Sequence, residues 1–318
     1  MYPFKLIPAV KNYIWGGNRL SREYGLPQTG DVQAEGWMLS CHKDGENTVA
    51  NGAFAGKTLT DVLAENPSFT GTNAAGKDFP ILIKLIDAKD RLSVQVHPDD
   101  EYAMRVEGEY GKTEAWYIID CDEGAELIYG FKDKITSQQF REAIENNTLL
   151  DCVNRVKVKK GDLFFITAGT LHAIGKGILL AEIQQNSNTT YRVYDYGRLQ
   201  NGKPRELHVD KAVDVTVCEP PKGDGKPCGE KAVCGNNALT CLVDCELFKT
   251  ELLEIDGEIG HTADKTSFVS LLAIDGEGNV VSGNGNNVSI KKGESIFLPA
   301  GSGDYCINGK LTVIRTTV

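Results

Sequence analysis

The sequence predicts a mainly β protein, built from antiparallel sheets that form a sandwich or barrel, with a few short helices. Short runs rich in β-branched and aromatic residues recur along the chain, among them "FPILIKLI", "AWYIID" and "GILLAEIQ". Gly, Asp or Asn bounds most of these runs, and no long helical pattern separates them. A parallel sheet would need a crossover, usually helical, between successive strands, so the pattern favours antiparallel pairing.

Further strand-like runs continue to the end of the chain: "AELIYGF", "DLFFITA", "TTYRVYDYG", "FVSLLAI" and "ESIFLPAG". Helical patterns are sparse. The clearest is "ITSQQFREAIENNTLL", where Thr136 or Ser137 can act as the N-cap. Residues 58–66 and 98–108 predict two shorter helices. In the second, Asp99 and Asp100 suit the positive end of the helix dipole.

One strand-and-turn pattern occurs twice. Residues 159–175 ("KKGDLFFITAGTLHAIG") and 291–309 ("KKGESIFLPAGSGDYCING") begin alike, and each places two glycines eight residues apart. His172 of the first copy corresponds to Asp304 of the second. The repeat predicts two related β-modules, of which only the first keeps a histidine at this turn; the alternative is two unrelated strand-turn units.

The clearest change in composition lies at 218–230, "CEPPKGDGKPCGE", with three prolines and three glycines. Such a stretch is typical of a linker or a long surface loop. We therefore expect a larger domain with a small helical segment at 1–217, a linker or loop at 218–230, and a smaller β domain at 231–318.

The charge of the chain limits the classes of partner. The formal net charge is -10 and the sequence pI is about 5.1, which argues against nucleic acid because a phosphate backbone requires a basic surface. No apolar run approaches the roughly 18 residues that a membrane span needs. The first residues, "MYPFKLIPAVKNYIW", show no signal-peptide pattern. We expect a cytoplasmic protein whose nine cysteines are reduced thiols.

Four of these cysteines lie close together in sequence, at Cys228, Cys234, Cys241 and Cys245. No two of them form a C-x-x-C pair, the spacing common in zinc sites. The better interpretation is a set of small, partly buried residues.

The residues "LSVQVHP" predict a strand with two different faces. Since side chains alternate along a strand, Ser93, Gln95 and His97 share one side and the apolar residues share the other. A half-buried strand whose polar face is solvated would be enough to explain this alternation. With His172 and Glu114, which other predicted strands deliver, two imidazoles and a carboxylate could instead hold a divalent metal.

Cationic residues lie near these strands in sequence. Lys84 falls within an apolar run, where a lysine is costly unless it has a partner or a function. Lys112 precedes Glu114 by two residues, so both can share a strand face. Arg192 and Arg198 fall in and just after "TTYRVYDYG". For each of these residues a structural ion pair is the alternative to a functional role, and for Arg198 it is the better one.

Taken together, several motifs resemble type I mannose-6-phosphate isomerases of the short bacterial form, in the cupin superfamily. These motifs are "WGG" at 15–17, "AEGWMLSCHKDGENTVANG", "LSVQVHPDD", "GKTEAWY" and "GTLHAIGKGILLAEIQQNSNTTYRVYDYGR". The match covers residues 1 to about 215. It implies two cupin-like antiparallel jelly-roll modules, a metal-binding catalytic one and a degenerate C-terminal one.

The resemblance also implies functional residues. One zinc ion per chain would be bound by Gln95, His97, Glu114 and His172. Arg192 and Lys112 would act in catalysis, and the sugar-phosphate pocket would be lined by Trp15, Glu35, Lys84, Ser93 and Glu182. Two departures from the family pattern are Ile14 before "WGG" and Thr167 at the start of "TAG", where "P-x-G" is expected; the first concerns a sugar contact and the second a turn.

The implied reaction interconverts mannose 6-phosphate and fructose 6-phosphate through a cis-enediol. Glu182, Glu35 and a zinc-bound water all remain candidates for the base. Two other functions stay open from the residues alone: a non-haem iron oxygenase, which uses two histidines and a carboxylate, and a non-catalytic sugar-phosphate-binding module. In each case we expect a small molecule as partner, and a monomer or weak homo-oligomer.

Overall fold

The structure is a computed structural model that describes residues 1–318, and it is mainly β, as the sequence predicts. The strands are β1 (Phe4–Ile7), β2 (Ala9–Lys11), β3 (Glu35–Leu39), β4 (Thr48–Val49), β5 (Ile81–Ala88), β6 (Val94–Val96), β7 (Glu114–Cys121), β8 (Glu126–Phe131), β9 (Val153–Lys157), β10 (Leu163–Ile166), β11 (His172–Ala173), β12 (Ile178–Gln185), β13 (Tyr191–Tyr194), β14 (Leu199–Gln200), β15 (Lys203–Pro204), β16 (Ala232–Cys234), β17 (Asn237–Asp244), β18 (Lys249–Ala263), β19 (Val269–Ser282), β20 (Asn287–Lys291), β21 (Ser295–Leu298) and β22 (Gly303–Thr317).

The helices are short: α1 (Arg19–Tyr24), α2 (Leu59–Glu65), α3 (Asp100–Val106), α4 (Ser137–Glu145), α5 (Leu149–Cys152) and α6 (Val209–Val215), with 3₁₀ turns at Gly52–Phe54 and Pro67–Thr70. The three predicted helices correspond to α2, α3 and α4. No helix has the length and apolar character that crossing a bilayer would require.

Contacts divide the chain into two compact units. Unit 1 contains residues 1–11, 18–85 and 227–318, and unit 2 contains residues 12–17 and 86–226. The chain passes from unit 2 to unit 1 between Lys226 and Pro227, inside the predicted linker. Unit 1 combines most of the first 85 residues with the C-terminal ones, so it is not one continuous stretch of the sequence. The predicted domains at 1–217 and 231–318, with a linker at 218–230, stay a prediction.

Unit 1 is organised by a nine-stranded antiparallel sheet in the order β16-β17-β18-β22-β19-β21-β1-β4, with β20 paired to β19. The long strands β18, β19 and β22 form its centre. One face carries an apolar core that includes Leu253, Leu271 and Val313. Strand β1 pairs with β21, which incorporates the N-terminus into the sheet of the C-terminal β strands.

Unit 2 contains a five-stranded antiparallel sheet in the order β13-β6-β11-β8-β9. Strand β7 pairs with both β10 and β12 and supplies a second layer. Behind the five-stranded sheet, Val94, Val96 and Ala173 pack into an apolar core with Phe131 and Phe140. The alternation predicted for "LSVQVHP" thus puts both valines in this core.

The repeated sequence folds as the same unit in both places. In each copy a glycine with positive φ opens a turn before a four-residue strand, at Gly161 (φ 90°) before β10 and at Gly293 (φ 83°) before β21. Gly169 and Gly301 then provide a second positive-φ turn. Glycine adopts this conformation without steric cost, so the spacing of eight residues reflects two turns around one strand.

The helix starts follow the predicted caps. In α4, Thr136 accepts a hydrogen bond from Gln139 N at 3.1 Å, and the Gln139 side chain accepts one from Thr136 N at 2.8 Å, a capping box. In α3, Asp99 is the N-cap and accepts from Tyr102 N at 2.9 Å. Asp99 and Asp100 are thus helix-start residues, as predicted.

Replacing Phe140 by alanine tests the packing of unit 2. The ring is fully buried and meets Phe131 edge to face, with ring centroids 5.5 Å apart. We expect the change to lower the free energy of unfolding by about 3–5 kcal/mol, measured by denaturant titration. Met104, which is 47% exposed on α3, is the control: Met104→Ala should cost about 0.5 kcal/mol or less. Equal losses for the two variants would contradict the described core.

Candidate metal centre and active site

Strand register places three predicted site residues in one row across the five-stranded sheet. Gln95 on β6 lies directly opposite Arg192 on β13 and directly opposite His172 on β11. Directly paired residues project their side chains from the same face of a sheet. The face opposite the valine core therefore carries an arginine, a glutamine and a histidine side by side.

Glu114, the first residue of β7, meets this face from the second layer. One carboxylate oxygen lies 3.5 Å from His172 Nε2, and the other lies 3.7 Å from His97 Nε2. Ligand atoms of these three residues all fall within 4.8 Å of one another, and all three side chains are buried. The structure thus brings together the two imidazoles and the carboxylate that the sequence suggests.

Backbone carbonyls fix the orientation of both imidazoles. His97 Nδ1 lies 2.9 Å from Thr189 O, and His172 Nδ1 lies 2.8 Å from Thr170 O. Since a carbonyl oxygen only accepts hydrogen bonds, each Nδ1 carries the proton and each Nε2 presents a lone pair. Burial lowers the pKa of His172 to about 4, which keeps its imidazole neutral.

The donor set fits a divalent cation. Two Nε2 lone pairs and the Glu114 carboxylate converge on one small volume, where acceptors of this kind repel one another unless a cation or a proton lies between them. Neutral imidazole with its other nitrogen bonded to a carbonyl is the form in which histidine binds metals. His97, Glu114 and His172 could therefore hold a metal ion.

Gln95 adds a fourth donor beside this group. Its amide nitrogen lies 3.4 Å from His172 Nε2, and its amide oxygen lies 3.4 Å from Ser93 Oγ. The two ends of a glutamine amide exchange on rotation by 180°, and a serine hydroxyl can donate or accept. The rotated amide would present its oxygen to the metal group, meaning His97, Glu114 and His172, and would keep its contact with Ser93.

Lys112 and Glu182 extend the buried polar group. Lys112 Nζ lies 2.9 Å from Glu114 and 3.7 Å from Glu182. Glu182 on β12 also accepts a hydrogen bond from Trp116 Nε1 at 2.8 Å. The Trp116 ring meets the His172 ring nearly at right angles, with centroids 5.2 Å apart. Two carboxylates and an ammonium thus share one buried site.

Arg192 is held at the edge of this site. Its Nε donates to Ser93 Oγ at 3.2 Å, and its Nη1 donates to Glu206 O at 3.0 Å. Burial and the neighbouring Arg205 lower the pKa of the guanidinium, which nevertheless remains charged at neutral pH. Arg198 instead bonds Asp195, with Nη2 to Oδ1 at 2.5 Å, so its contacts are structural.

The other predicted pocket residues have different surroundings. Lys84 and Glu35 belong to unit 1, where Lys84 Nζ lies 3.7 Å from the Glu35 carboxylate and 5.4 Å from the centre of the Trp37 ring. Trp15 belongs to unit 2 and stacks on Tyr13, with ring centroids 5.6 Å apart. Their roles as substrate contacts stay predictions.

Comparison with known proteins places the chain in a family. Residues 3–142 match the family described as "Phosphomannose isomerase type I, catalytic domain". Residues 237–318 match the family described as "Mannose-6-phosphate isomerase, cupin domain". A probable mannose-6-phosphate isomerase of Bacillus subtilis is 39% identical over 97% of this chain and 96% of its own length. The chain belongs to the type I phosphomannose isomerase family.

Other relatives agree with this assignment. A mannose-6-phosphate isomerase of Streptococcus mutans is 36% identical over 99% of this chain and 98% of its own. The crystal structure of the mannose 6-phosphate isomerase from Bacillus subtilis superposes with a TM-score of 0.93, covers 100% of both chains and is 39% identical. A phosphomannose isomerase from Salmonella typhimurium, 18% identical with a TM-score of 0.78 over 99% of both chains, shows a common fold.

Several groups that hold the candidate site residues in place were not identified from the sequence. Trp116 lies two residues after Glu114, so strand alternation could have placed it on the same face. The carbonyls of Thr170 and Thr189 bear no signal in a sequence, because every residue has a carbonyl. Gln185 is a further support: its side chain accepts from Thr113 N and donates to Asp100, at 2.9 Å each.

Replacing His172 by alanine tests the candidate metal centre. We expect the variant to lose nearly all bound divalent metal, since one of two imidazole ligands disappears, while the far-ultraviolet circular dichroism stays unchanged. Elemental analysis of dialysed protein measures the metal. His261→Ala is the matched control, because His261 belongs to unit 1. A His172 variant that retains its metal, or a His261 variant that loses it, would contradict the assignment.

Proposed function

We propose that this chain interconverts mannose 6-phosphate and fructose 6-phosphate through a cis-enediol, with one zinc ion held by Gln95, His97, Glu114 and His172. The observation that carries the proposal is the row of Arg192, Gln95 and His172 facing Glu114, in a chain of the type I phosphomannose isomerase family. The printed names of the relatives give the same activity. Zinc is the metal that the ligand types and the family resemblance favour.

A metal at this position would supply Lewis acidity to a sugar oxygen. The contribution of the chain itself is to hold the donors in place before any ligand binds. The carbonyls of Thr170 and Thr189 set both imidazole tautomers, and both imidazoles and the Glu114 carboxylate are buried. A site organised in advance stabilises the developing charge without rearrangement during the reaction.

Arg192 is proposed to stabilise the enediolate. Proton loss at C2 of the open-chain sugar leaves negative charge on two adjacent oxygens, and a fixed guanidinium can donate two parallel hydrogen bonds to such a pair. Ser93 and Glu206 O orient the arginine through its Nε and Nη1. Arg192 pairs directly with Gln95 in the sheet, and both side chains contact Ser93 Oγ.

Lys112 is proposed to assist through its charge. Its ammonium contacts both Glu114 and Glu182, so it can offset the carboxylate charge and donate a hydrogen bond to a sugar oxygen. Among the predicted bases, Glu182 is supported by its place in this group and by the hydrogen bond from Trp116 that orients it. Ser93, Trp15, Glu35 and Lys84 remain predicted contacts of the sugar phosphate.

A coupled assay decides the proposed activity. Purified chain is supplied with mannose 6-phosphate, and formation of fructose 6-phosphate is followed through phosphoglucose isomerase and glucose-6-phosphate dehydrogenase, with metal content measured on the same sample. We expect turnover that a chelator abolishes and zinc restores. No turnover with the metal bound would overturn the proposal, and oxygen consumption with bound iron would favour the alternative oxygenase.

Replacing Arg192 by alanine tests the proposed catalytic role. We expect kcat to fall by about 10²–10³-fold with the metal content unchanged, because a donor to the charged intermediate is lost while the ligands remain. Steady-state kinetics and elemental analysis check this. Arg141 on α4, which bonds Asp210 at 2.7 Å, provides the control, and Arg141→Ala should leave kcat within about twofold. Unchanged turnover for the Arg192 variant would remove this role.

A further inference from the structure

Two thiols outside the site lie in contact. Cys228 Sγ is 3.3 Å from Cys241 Sγ. Cys228 is exposed and follows the passage of the chain into unit 1, whereas Cys241 is partly buried on β17. The proposed isomerase mechanism uses neither residue, so their proximity requires a separate explanation.

Backbone hydrogen bonds hold together the two segments that carry these cysteines. Cys228 N donates to Leu242 O and Gly229 N donates to Cys241 O, both at 3.0 Å. This pairing precedes the β16-β17 ladder, so residues 228–229 lie at the edge of the nine-stranded sheet. A side chain on Gly229 would approach Cys241 Cβ at 2.9 Å, and glycine permits this close approach. An S–S bond is about 2.0 Å long, so the two sulfurs, 3.3 Å apart, have only to approach by a little over about 1 Å to form one.

The surrounding residues do not form a metal site. The four cysteines between residues 228 and 245 could have suggested a zinc site. However, Cys245 Sγ donates to Phe248 O at 3.3 Å, and Cys234 is exposed on β16. The one group of three or more metal-ligating side chains in the described chain is the histidine and glutamate group of unit 2. Two thiols in contact, without a third ligand, are typical of a pair that can form a disulfide.

We propose that Cys228 and Cys241 are a redox-active thiol pair, which a peroxide oxidises to a disulfide that fixes residue 228 to the edge of the nine-stranded sheet. The modification joins residues thirteen positions apart and lies entirely in unit 1. It goes beyond the proposed isomerase activity and does not depend on it.

The chemistry follows from the different exposure of the two sulfurs. The Cys228 thiolate attacks one peroxide oxygen, so an S–O bond forms, the O–O bond breaks, and the departing hydroxide takes a proton to become water. Cys241 then loses its proton and attacks Cys228 Sγ; the S–S bond forms and the S–O bond breaks, releasing a second water. Two thiols and one hydrogen peroxide thus give one disulfide and two waters.

The order of the two steps agrees with the surroundings of each thiol. Burial, together with the neighbouring Cys228 sulfur as hydrogen-bond acceptor and charge, raises the pKa of Cys241 to about 11, so this thiol stays protonated near neutral pH. Cys228 is solvent-exposed and meets the oxidant first. Cys241 is in place to resolve the sulfenic acid before further oxidation.

The test uses the fully reduced full-length chain. After brief exposure to hydrogen peroxide, remaining thiols are alkylated and the digest is examined by mass spectrometry for a peptide joining Cys228 to Cys241. We expect this cross-link as the major product, with titratable thiols falling from nine to seven in denatured protein. We also expect Tm to rise by on the order of 5 °C, and a reductant to reverse the rise.

Two variants complete the test. C228S should give no cross-link and no rise in Tm, and its exposed position leaves the fold intact; C234S, an exposed cysteine on β16, should behave as wild type. The proposal is overturned if C228S shows the same rise in Tm, or if Cys228 ends mainly as sulfinic acid or in other cross-links. Isomerase activity of the oxidised chain should stay within about twofold, because the candidate metal ligands His97, Glu114 and His172 all lie in unit 2.

Discussion

The register of β6 between β13 and β11 is the constraint on which the candidate site depends. It puts Arg192, Gln95 and His172 in one row and the valines of β6 in the apolar core behind them. Because side chains alternate along a strand, a shift of one residue would bury the glutamine and expose the valines to the metal group. Packing of the core and assembly of the site are therefore enforced by the same strand pairing.

Backbone hydrogen bonds also hold the site residues in place. The two imidazoles receive their orientation from carbonyls, and the loop after His97 is held by backbone contacts as well: Lys112 N donates to Pro98 O, and Gly169 N donates to His97 O. Gly111 lacks a side chain where the loop passes, since a Cβ there would overlap the backbone of Asp99. A conformationally fixed loop delivers Lys112 and Glu114 to the site, and such preorganisation costs little when a ligand binds.

Much of the fold could be predicted from local sequence. β-branched runs marked the strands, and the predicted cap at Thr136 or Ser137 marked the start of α4. The ligand set emerged only from the combination of motifs, because each residue alone would more often be a satisfied polar side chain. Pairings between distant segments, such as β1 with β21 or Cys228 with Cys241, carry no local signal. They follow from packing of whole sheets, as does the mixed origin of unit 1.

Diffraction from crystals of the active, zinc-loaded protein, recorded above and below the zinc absorption edge, would locate the metal directly. We expect one anomalous peak per chain, about 2.0–2.2 Å from His97 Nε2, His172 Nε2 and a Glu114 oxygen, with the oxygen of Gln95 turned toward it. A peak among the cysteines of residues 228–245, or an active crystal with no peak between these two histidines, would contradict this expectation.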